Sequence, residues 1–382
     1  MQNKEELSLY IHIPFCVRKC GYCDFLSAPA DEKARDRYVQ ALLMEIERYR
    51  GTETADRKIK TLYIGGGTPS TLSVKQLECI MQKIKCTFNF HGDMETSMEM
   101  NPGTASKEKC RALYQMGINR LSIGLQSTND MELKTLGRIH SYEDFLNTYT
   151  WCREAGFQNI NVDLMAALPY QTVESYTTGL RKIIRLAPEH ISAYSLILEE
   201  GTPFYQKYNS GCYPLPDEEQ ERLMYRETEQ ILAQAGYERY EISNYAKKGL
   251  ECRHNKGYWQ RTDYLGLGLG ASSLVDHVRF SNTDNMEEYL RNSAFPEKIR
   301  CDRETLTEAD EMAEFMFLGL RMTEGVSVRE FEEYFGKNME SIYGKVLKKH
   351  FALGMLKKKN DRIFLTRRGI HVSNGVMADF LL

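Results

Sequence analysis

Leu7 to Cys23 read LSLYIHIPFCVRKCGYC, and the rest of the chain is organised around this stretch. Its first seven residues are mostly apolar and aromatic, which predicts a strand. Its end carries Cys16-x3-Cys20-x2-Cys23, three cysteines in one short loop. Parallel α/β folds set their chemistry at the carboxyl ends of strands, where this triplet falls.

Outward from that strand the pattern alternates. Asp31 to Arg50 has helical periodicity, with Tyr38, Leu42, Ile46 and Tyr49 near one face. Thr61 to Ile64 is a strand ended by glycines, and Ser73 is the N-cap of a helix to Lys85. Glu95 to Met100, Arg120 to Leu125, Asn159 to Met165 and His190 to Leu198 read as further strands. Ser106 to Met116, Tyr142 to Ala155 and Val173 to Leu186 read as the intervening helices, the first two closed by Gly117 and Gly156. Six strands with helices between them predict parallel pairing through crossover helices. Six units fall short of the eight that close a barrel, so the predicted fold is α/β, a partial, three-quarter parallel (β/α)6 barrel resembling a TIM barrel.

After about Gly201 this regularity stops. A helix starts near Asp217 within Pro214 to Tyr237, and Tyr240 to Ala271 reads as strands and loops. Glu308 to Met322, Ser327 to Phe335 and Met339 to Leu353 read as helices, followed by a basic turn between two short apolar strands in MLKKKNDRIFLTRRG. Three helices and a hairpin predict a smaller, helical, winged-helix-like C-terminal domain. The expected division is 1–205 for the barrel, 206–300 for an extension and 301–382 for the C-terminal domain.

Composition narrows the function classes. Among 382 residues, 50 Lys and Arg face 53 Asp and Glu, a net charge of −3, which argues against a strongly basic polyanion binder. Lys357 to Lys359 and Arg367-Arg368 read as a solvated edge, and no nucleic-acid partner is expected. No apolar run is long enough for a transmembrane helix, and the N-terminus lacks a secretion signal, so a cytoplasmic protein is expected. Ten cysteines in such a chain point to free thiols or to metal and redox chemistry rather than to disulfides.

Seven of those cysteines are scattered; the triplet is not. Three thiolates in one loop can grip a polynuclear iron cluster and leave one iron of a cubane open. Tetrahedral zinc takes paired C-x2-C knuckles, and no second pair lies nearby.

The spacing C-x3-C-x2-C, with the aromatic Tyr22 before the last cysteine, resembles the radical S-adenosylmethionine (radical SAM) superfamily. The flanking Tyr10-Ile-His-Ile-Pro-Phe-Cys16 is similar to the family of oxygen-independent coproporphyrinogen III oxidases and radical SAM haem chaperones. The resemblance runs from Leu7 into the C-terminal domain. It implies a [4Fe-4S] cluster on Cys16, Cys20 and Cys23 and a barrel of the radical SAM type.

Gly65-Gly66-Gly67-Thr68-Pro69 ends the second strand. Glycines allow close backbone approach and expose N–H groups. No Gly-Lys-Ser/Thr follows, so this is no phosphate loop, and a bare triple glycine would be a tight turn. GGGTP resembles the family segment holding the cofactor's methionine amino group, through Gly66, Gly67 and Thr68. Polar residues recur at later strand ends: Glu99, Gln126, Arg138 beyond strand four, and Asp163. A polar group on a buried strand is costly unless paired, and this recurrence argues for one shared polar ligand. By resemblance these four contact S-adenosylmethionine, as do Tyr10 and Ser195.

Arg253-His-Asn-Lys-Gly-Tyr-Trp259 offers a histidine for a haem iron and flat apolar rings for a porphyrin. A histidine beside aromatics is commonly structural. H-N-x-x-Y-W, however, resembles the haem-binding signature of the chaperone branch, which implies haem contacts from His254, Asn255, Tyr258 and Trp259. Gly266-x-Gly268-x-Gly270 resembles a loop of both branches and is expected to line the same mouth.

Two departures separate the branches. The oxidases carry a further cysteine where this chain has Phe25, and an N-terminal arm where this chain has nine residues before Tyr10. The resemblance therefore implies a haem chaperone that passes haem to an acceptor protein, with a reductant for its cluster and a homodimer as candidate assembly. The alternative is an enzyme, coproporphyrinogen III dehydrogenase, decarboxylating propionates through a 5′-deoxyadenosyl radical; that turnover is not expected.

Overall fold

A computed structural model describes residues 5–381; the short run before Tyr10 lies partly outside them. Six parallel strands form its centre: β1 (Glu6–Ile13), β2 (Lys58–Gly66), β3 (Asn89–Met100), β4 (Arg120–Gln126), β5 (Ile160–Ala166) and β6 (His190–Ser195). They pair in sequence order, each parallel to the next. Helices Glu32–Glu47, Val74–Thr87, Lys107–Gln115, Tyr142–Ala155 and Val173–Arg185 make the crossovers. Every residue of β4 is buried, as a parallel strand covered on both faces must be.

Local chemistry sets the helix ends. Ser73 and Gln76 cap each other's backbone, as do Ser141 with Asp144 and Thr172 with Ser175, so orphan N–H groups are satisfied. Gly156 ends its helix in the left-handed conformation that glycine adopts without a Cβ clash.

Beyond β6 the sheet continues where the sequence pattern lapses. The remaining strands are β7 (Glu238–Arg239), β8 (Asn244–Ala246), β9 (Tyr264–Leu267), β10 (Ser272–Val275), β11 (Val278–Asn282) and β12 (Arg300–Thr305). The sheet order is β12-β11-β10-β9-β1-β2-β3-β4-β5-β6-β8-β7. β9 is a seventh parallel strand, on the free side of β1; β7, β8 and β10 to β12 are antiparallel additions. Side chains from β2 to β6 and from Asn244 line one cavity, so the sheet curls, yet its two ends do not pair. The result is a partial barrel.

The stretch read as strands and loops also holds the helix Arg253–Trp259. Seven residues rich in Gly, Asn and aromatics have poor helix propensity, and tertiary packing overrides it. Short helices Asp130–Leu136 and Pro203–Asn209 were likewise not anticipated.

Glu308–Gly319, Val328–Phe335 and Met339–Ala352 are helices. They pack on a three-stranded sheet of Val326–Ser327, Arg362–Leu365 and Leu356–Lys359, in that order. This region has its own core, around Phe331, Tyr343 and Phe380, separate from the core of the large sheet.

Candidate functional site

The loop after β1 is held rigidly from several sides. Phe15–Cys16 pairs with Ala28–Pro29 in a short parallel ladder. Arg18 Nη2 donates to Gly137 O at 2.9 Å, and Phe204 N–H donates to Gly21 O at 2.9 Å. Cys16, Cys20 and Cys23 are free, half-buried, and line one cavity of 340 Å³. Burial raises the Cys16 and Cys23 thiols above their ordinary range. Among the described residues no three His, Cys, Asp or Glu are gathered tightly enough to hold a single metal ion. A polynuclear cluster binds each thiolate on a different iron, so thiols opening side by side on one cavity suit it.

Gly66 and Gly67 dock β2 beneath this loop. Gly66 has φ +111°, and a Cβ on Gly67 would stand 2.6 Å from Phe15 O. Gly67 N–H donates to Ile13 O (2.9 Å), Thr68 N–H to Phe15 O (2.6 Å), and Gly66 N–H to Glu99 Oε2 (3.1 Å). These N–H groups fasten the cysteine loop and Glu99.

A polar chain crosses the mouth. Arg138 Nη2 donates to Gly124 O (2.5 Å) and to Asn101 Oδ1 (2.7 Å), and Asn101 Nδ2 donates to Thr68 Oγ1 (2.7 Å). Arg138 Nη1 lies 3.6 Å from Cys20 Sγ. Below, Tyr63 Oη donates to Glu99 Oε1 at 2.9 Å. Burial, reinforced by the nearby Asp163 carboxylate, pushes the Glu99 carboxyl up to about 7. Asp163 is raised by burial too, although Asn161 Nδ2 donates to it at 2.7 Å. Gln126 sits at φ +75°, where the β4–β5 register shifts. A left-handed non-glycine residue stores about 1 kcal/mol of strain or more; here it turns the side chain to accept from Tyr194 Oη at 3.0 Å.

The cavity therefore brings together Cys16, Cys20, Cys23, Gly66, Gly67, Thr68, Glu99, Gln126, Arg138, Asp163 and Asn255. It does not bring in Tyr10, Ser195, His254, Tyr258 or Trp259. Tyr10 is a layer behind, its hydroxyl 3.0 Å from His12 Nδ1 and its ring stacked on Tyr63. Ser195 misses by strand alternation, because Ser192 and Tyr194 are the β6 side chains that line the cavity.

His254, expected to contact haem, is enclosed in this conformation. It is 1% exposed. Its Nδ1 is 2.7 Å from Thr61 Oγ1, its Nε2 is 2.9 Å from Tyr258 Oη, and its ring stacks on Tyr63. Burial, with the Arg120 cation, holds its pKa down to about 3. Both nitrogens are engaged, so nothing on the ring faces a haem in this conformation. Trp259 packs under the Arg321 guanidinium, 4.2 Å from its ring centroid, and lines a different cavity against the C-terminal region. The three glycines from Gly266 do not line the mouth either. A Cβ on Gly266 would meet Ser272 O at 2.2 Å and one on Gly268 would meet Tyr38 Oη at 2.5 Å, so these two serve packing.

Other lining residues were missed: Tyr63, Asn101, Arg120, Ser122, Asn161, Ser192 and Tyr194. Their signal was present. In Arg120-Leu-Ser-Ile-Gly-Leu-Gln126 every second residue is polar or glycine, the period of a strand with one polar face. Arg120 stands out, because it is 2% exposed and its guanidinium makes no hydrogen bond or ion pair among the described residues.

Comparison with known proteins agrees with this geometry. Residues 10–210 match the radical SAM superfamily, and residues 306–372 match the HemN C-terminal domain. The heme chaperone HemW of Bacillus subtilis is 37% identical over 378 residues, covering 98% of this chain and 99% of that protein. HemW of Escherichia coli is 34% identical, covering 98% of each. The solved structure of coproporphyrinogen III oxidase (HemN) from Escherichia coli, a radical SAM enzyme, is 25% identical with a TM-score of 0.87, covering 100% of this chain and 91% of that one. The chain belongs to the radical SAM superfamily and, within it, to the family of the heme chaperone HemW.

Proposed function

We propose that this protein is a haem chaperone that holds a [4Fe-4S] cluster and S-adenosylmethionine in its barrel, binds haem, and delivers it to an acceptor protein. The observation that carries this is the end-to-end likeness to HemW proteins, at 34–37% identity, against 25% for the oxidase structure. Phe25 supports it: the residue at the oxidase cysteine position is here a 65% exposed phenyl ring on the cavity rim.

Superfamily membership implies the cluster and S-adenosylmethionine; bound together, they supply one-electron chemistry at a sulfonium. In our reading Cys16, Cys20 and Cys23 hold the cluster. Gly66, Gly67 and Thr68 keep the cysteine loop against the barrel, and the Arg138 cation beside Cys20 offsets thiolate charge. Glu99, Gln126 and Asp163 offer polar groups to the cofactor, while Tyr10 supports Tyr63 from behind and Ser195 acts through the backbone of its strand. His254 reaches haem iron only when the helix Arg253–Trp259 swings out and breaks its bonds to Thr61 and Glu95; Asn255, Tyr258 and Trp259 move with it.

We also propose a barrel at 1–205, an extension at 206–300 and a C-terminal domain at 301–382, supported by the two separate cores. The proposal includes a cytoplasmic setting, a one-electron reductant for the cluster, a homodimer and no nucleic-acid partner. Among the described residues no helix is long and apolar enough to cross a membrane.

The test is anaerobic reconstitution followed by two assays. The protein should bind haem and pass it to an apo-haemoprotein, and should leave coproporphyrinogen III unchanged with reductant and S-adenosylmethionine present. Robust protoporphyrinogen production would move it to the oxidase branch.

A further inference from the structure

Beside the cysteine loop lies a second pocket, of 280 Å³, in which four cations converge: Arg18, Lys19, Lys134 and Lys207. They come from the cysteine loop, the helix Asp130–Leu136 and the helix Pro203–Asn209. Elsewhere on this net-acidic chain many surface cations are paired, as Lys107 is with Glu154 and Lys83 with Glu47. None of these four has a carboxylate partner among the described ion pairs. Their hydrogen bonds go to uncharged oxygens: Arg18 to Gly137 O, Lys19 to Phe25 O (2.9 Å) and Lys207 to Tyr213 Oη (3.1 Å). Among the described residues the Lys134 side chain makes no hydrogen bond or ion pair. Like charges gathered without a counter-ion repel one another, and an anion relieves that repulsion.

The floor is of the opposite character. Phe204 and Tyr213 line the pocket, with ring centroids 4.8 Å apart, and belong to an apolar cluster that includes Tyr22 of the cysteine loop. An apolar aromatic floor under a cationic rim selects a flat, amphipathic molecule carrying carboxylates. We propose that this pocket anchors the propionate edge of a porphyrin; resting on the haem-chaperone reading, the porphyrin is haem. The volume suits one edge of the macrocycle and not the whole of it, so the body lies across the cysteine-loop wall. Arg18 and Lys19 line both this pocket and the central cavity, which sets the bound edge beside the proposed cluster.

The test is a titration of the full chain with haem, with metal-free mesoporphyrin IX, and with the dimethyl esters of both, followed by Soret absorbance or fluorescence. Wild type should bind each diacid about tenfold or more tightly than its diester, and high salt should erase the difference. Lys134→Glu with Lys207→Glu should weaken the diacids about tenfold and leave the esters nearly unchanged; Lys134→Gln with Lys207→Gln should fall between. Both lysines are exposed, and an unchanged melting temperature verifies folding. Equal affinity for diacid and ester, or equal loss of both on charge reversal, overturns the pocket. If mesoporphyrin binds in this charge-dependent way and haem does not, the pocket stands and the haem reading falls. If neither porphyrin binds, both fall.

Discussion

The Thr61 hydroxyl on β2 lies 2.7 Å from His254 Nδ1, joining the barrel wall to the helix Arg253–Trp259. With Tyr258 on the other ring nitrogen, this makes His254 a buried hydrogen-bond bridge.

His254→Ala should therefore destabilise the protein without any haem present. It opens a cavity and leaves the Tyr258 hydroxyl without the ring, while Thr61 keeps its bond to Ser8 Oγ. Unsatisfied buried groups cost about 1–3 kcal/mol each, so a loss of about 2–4 kcal/mol is expected in urea unfolding of the apo-protein. A stability equal to wild type would mean the ring is free, as a ready iron ligand would be.

Cys16→Ser, Cys20→Ser and Cys23→Ser should each abolish cluster retention. Reconstituted wild type should carry about four irons per chain, as a cubane requires. Cys86→Ser, at an exposed and distant thiol, should keep them. Iron content and absorbance near 400 nm decide, and full iron in Cys16→Ser would refute the ligand set.

Gly67→Ala should release the cysteine loop, because the added Cβ meets Phe15 O at 2.6 Å and backbone cannot yield as a flexible side chain does. Cluster yield should fall several-fold and proteolysis near Cys16 should rise. Gly92→Ala, with nothing within 4 Å of its Cβ, is the control. Equal iron in the two variants would contradict the docking described above.

Glu99 predicts a pH signature. Its folded pKa, about 7, lies above the ordinary 4.5 because burial favours the neutral acid. The stability it contributes is present below about pH 4.5 and is lost as the pH rises through 7. Glu99→Gln removes the titration, so the variant should gain on wild type between pH 5 and pH 8, by at most about 3 kcal/mol. Parallel urea curves at the two pH values test this; a constant difference would place the carboxylate in a polar, hydrated setting.

Arg120→Met should destabilise the apo-protein. Although burial opposes it, the neighbouring Cys252 and Glu95 hold the Arg120 guanidinium in its charged form, and removing one partner from a set of buried opposite charges costs roughly 3–5 kcal/mol. Glu99 and Asp163 should titrate higher in this variant, since Arg120 lowers both. A stability equal to wild type would show that these charges do not interact in solution.

The parallel core was legible because its strands and helices are regular and well capped. Ser73 announced its helix, and Gly156 closed another. The cysteine spacing and the polar strand ends were legible for the same reason, since a short-range pattern encodes them. What failed depends on long-range packing. β9 reads as a glycine-rich loop because Gly266 and Gly268 are needed where Ser272 and Tyr38 press on the backbone. His254 reads as a free ligand because nothing near it in sequence reveals Thr61, whose hydroxyl takes one ring nitrogen. Ser195 fails by one residue, the smallest error that turns a strand side chain to the other face.

The pairing of β1 with β9 has a consequence for biosynthesis. Ser8 faces Tyr264 across that ladder, so one flank of the first strand made waits for residues translated about 250 positions later. At roughly 5–20 residues per second the wait lasts between about a dozen seconds and a minute. Throughout it, the cysteine loop emerges on a strand with an uncovered edge, which can recruit foreign strands. The cysteines therefore have a finished wall behind them only once the strand Tyr264–Leu267 has been made.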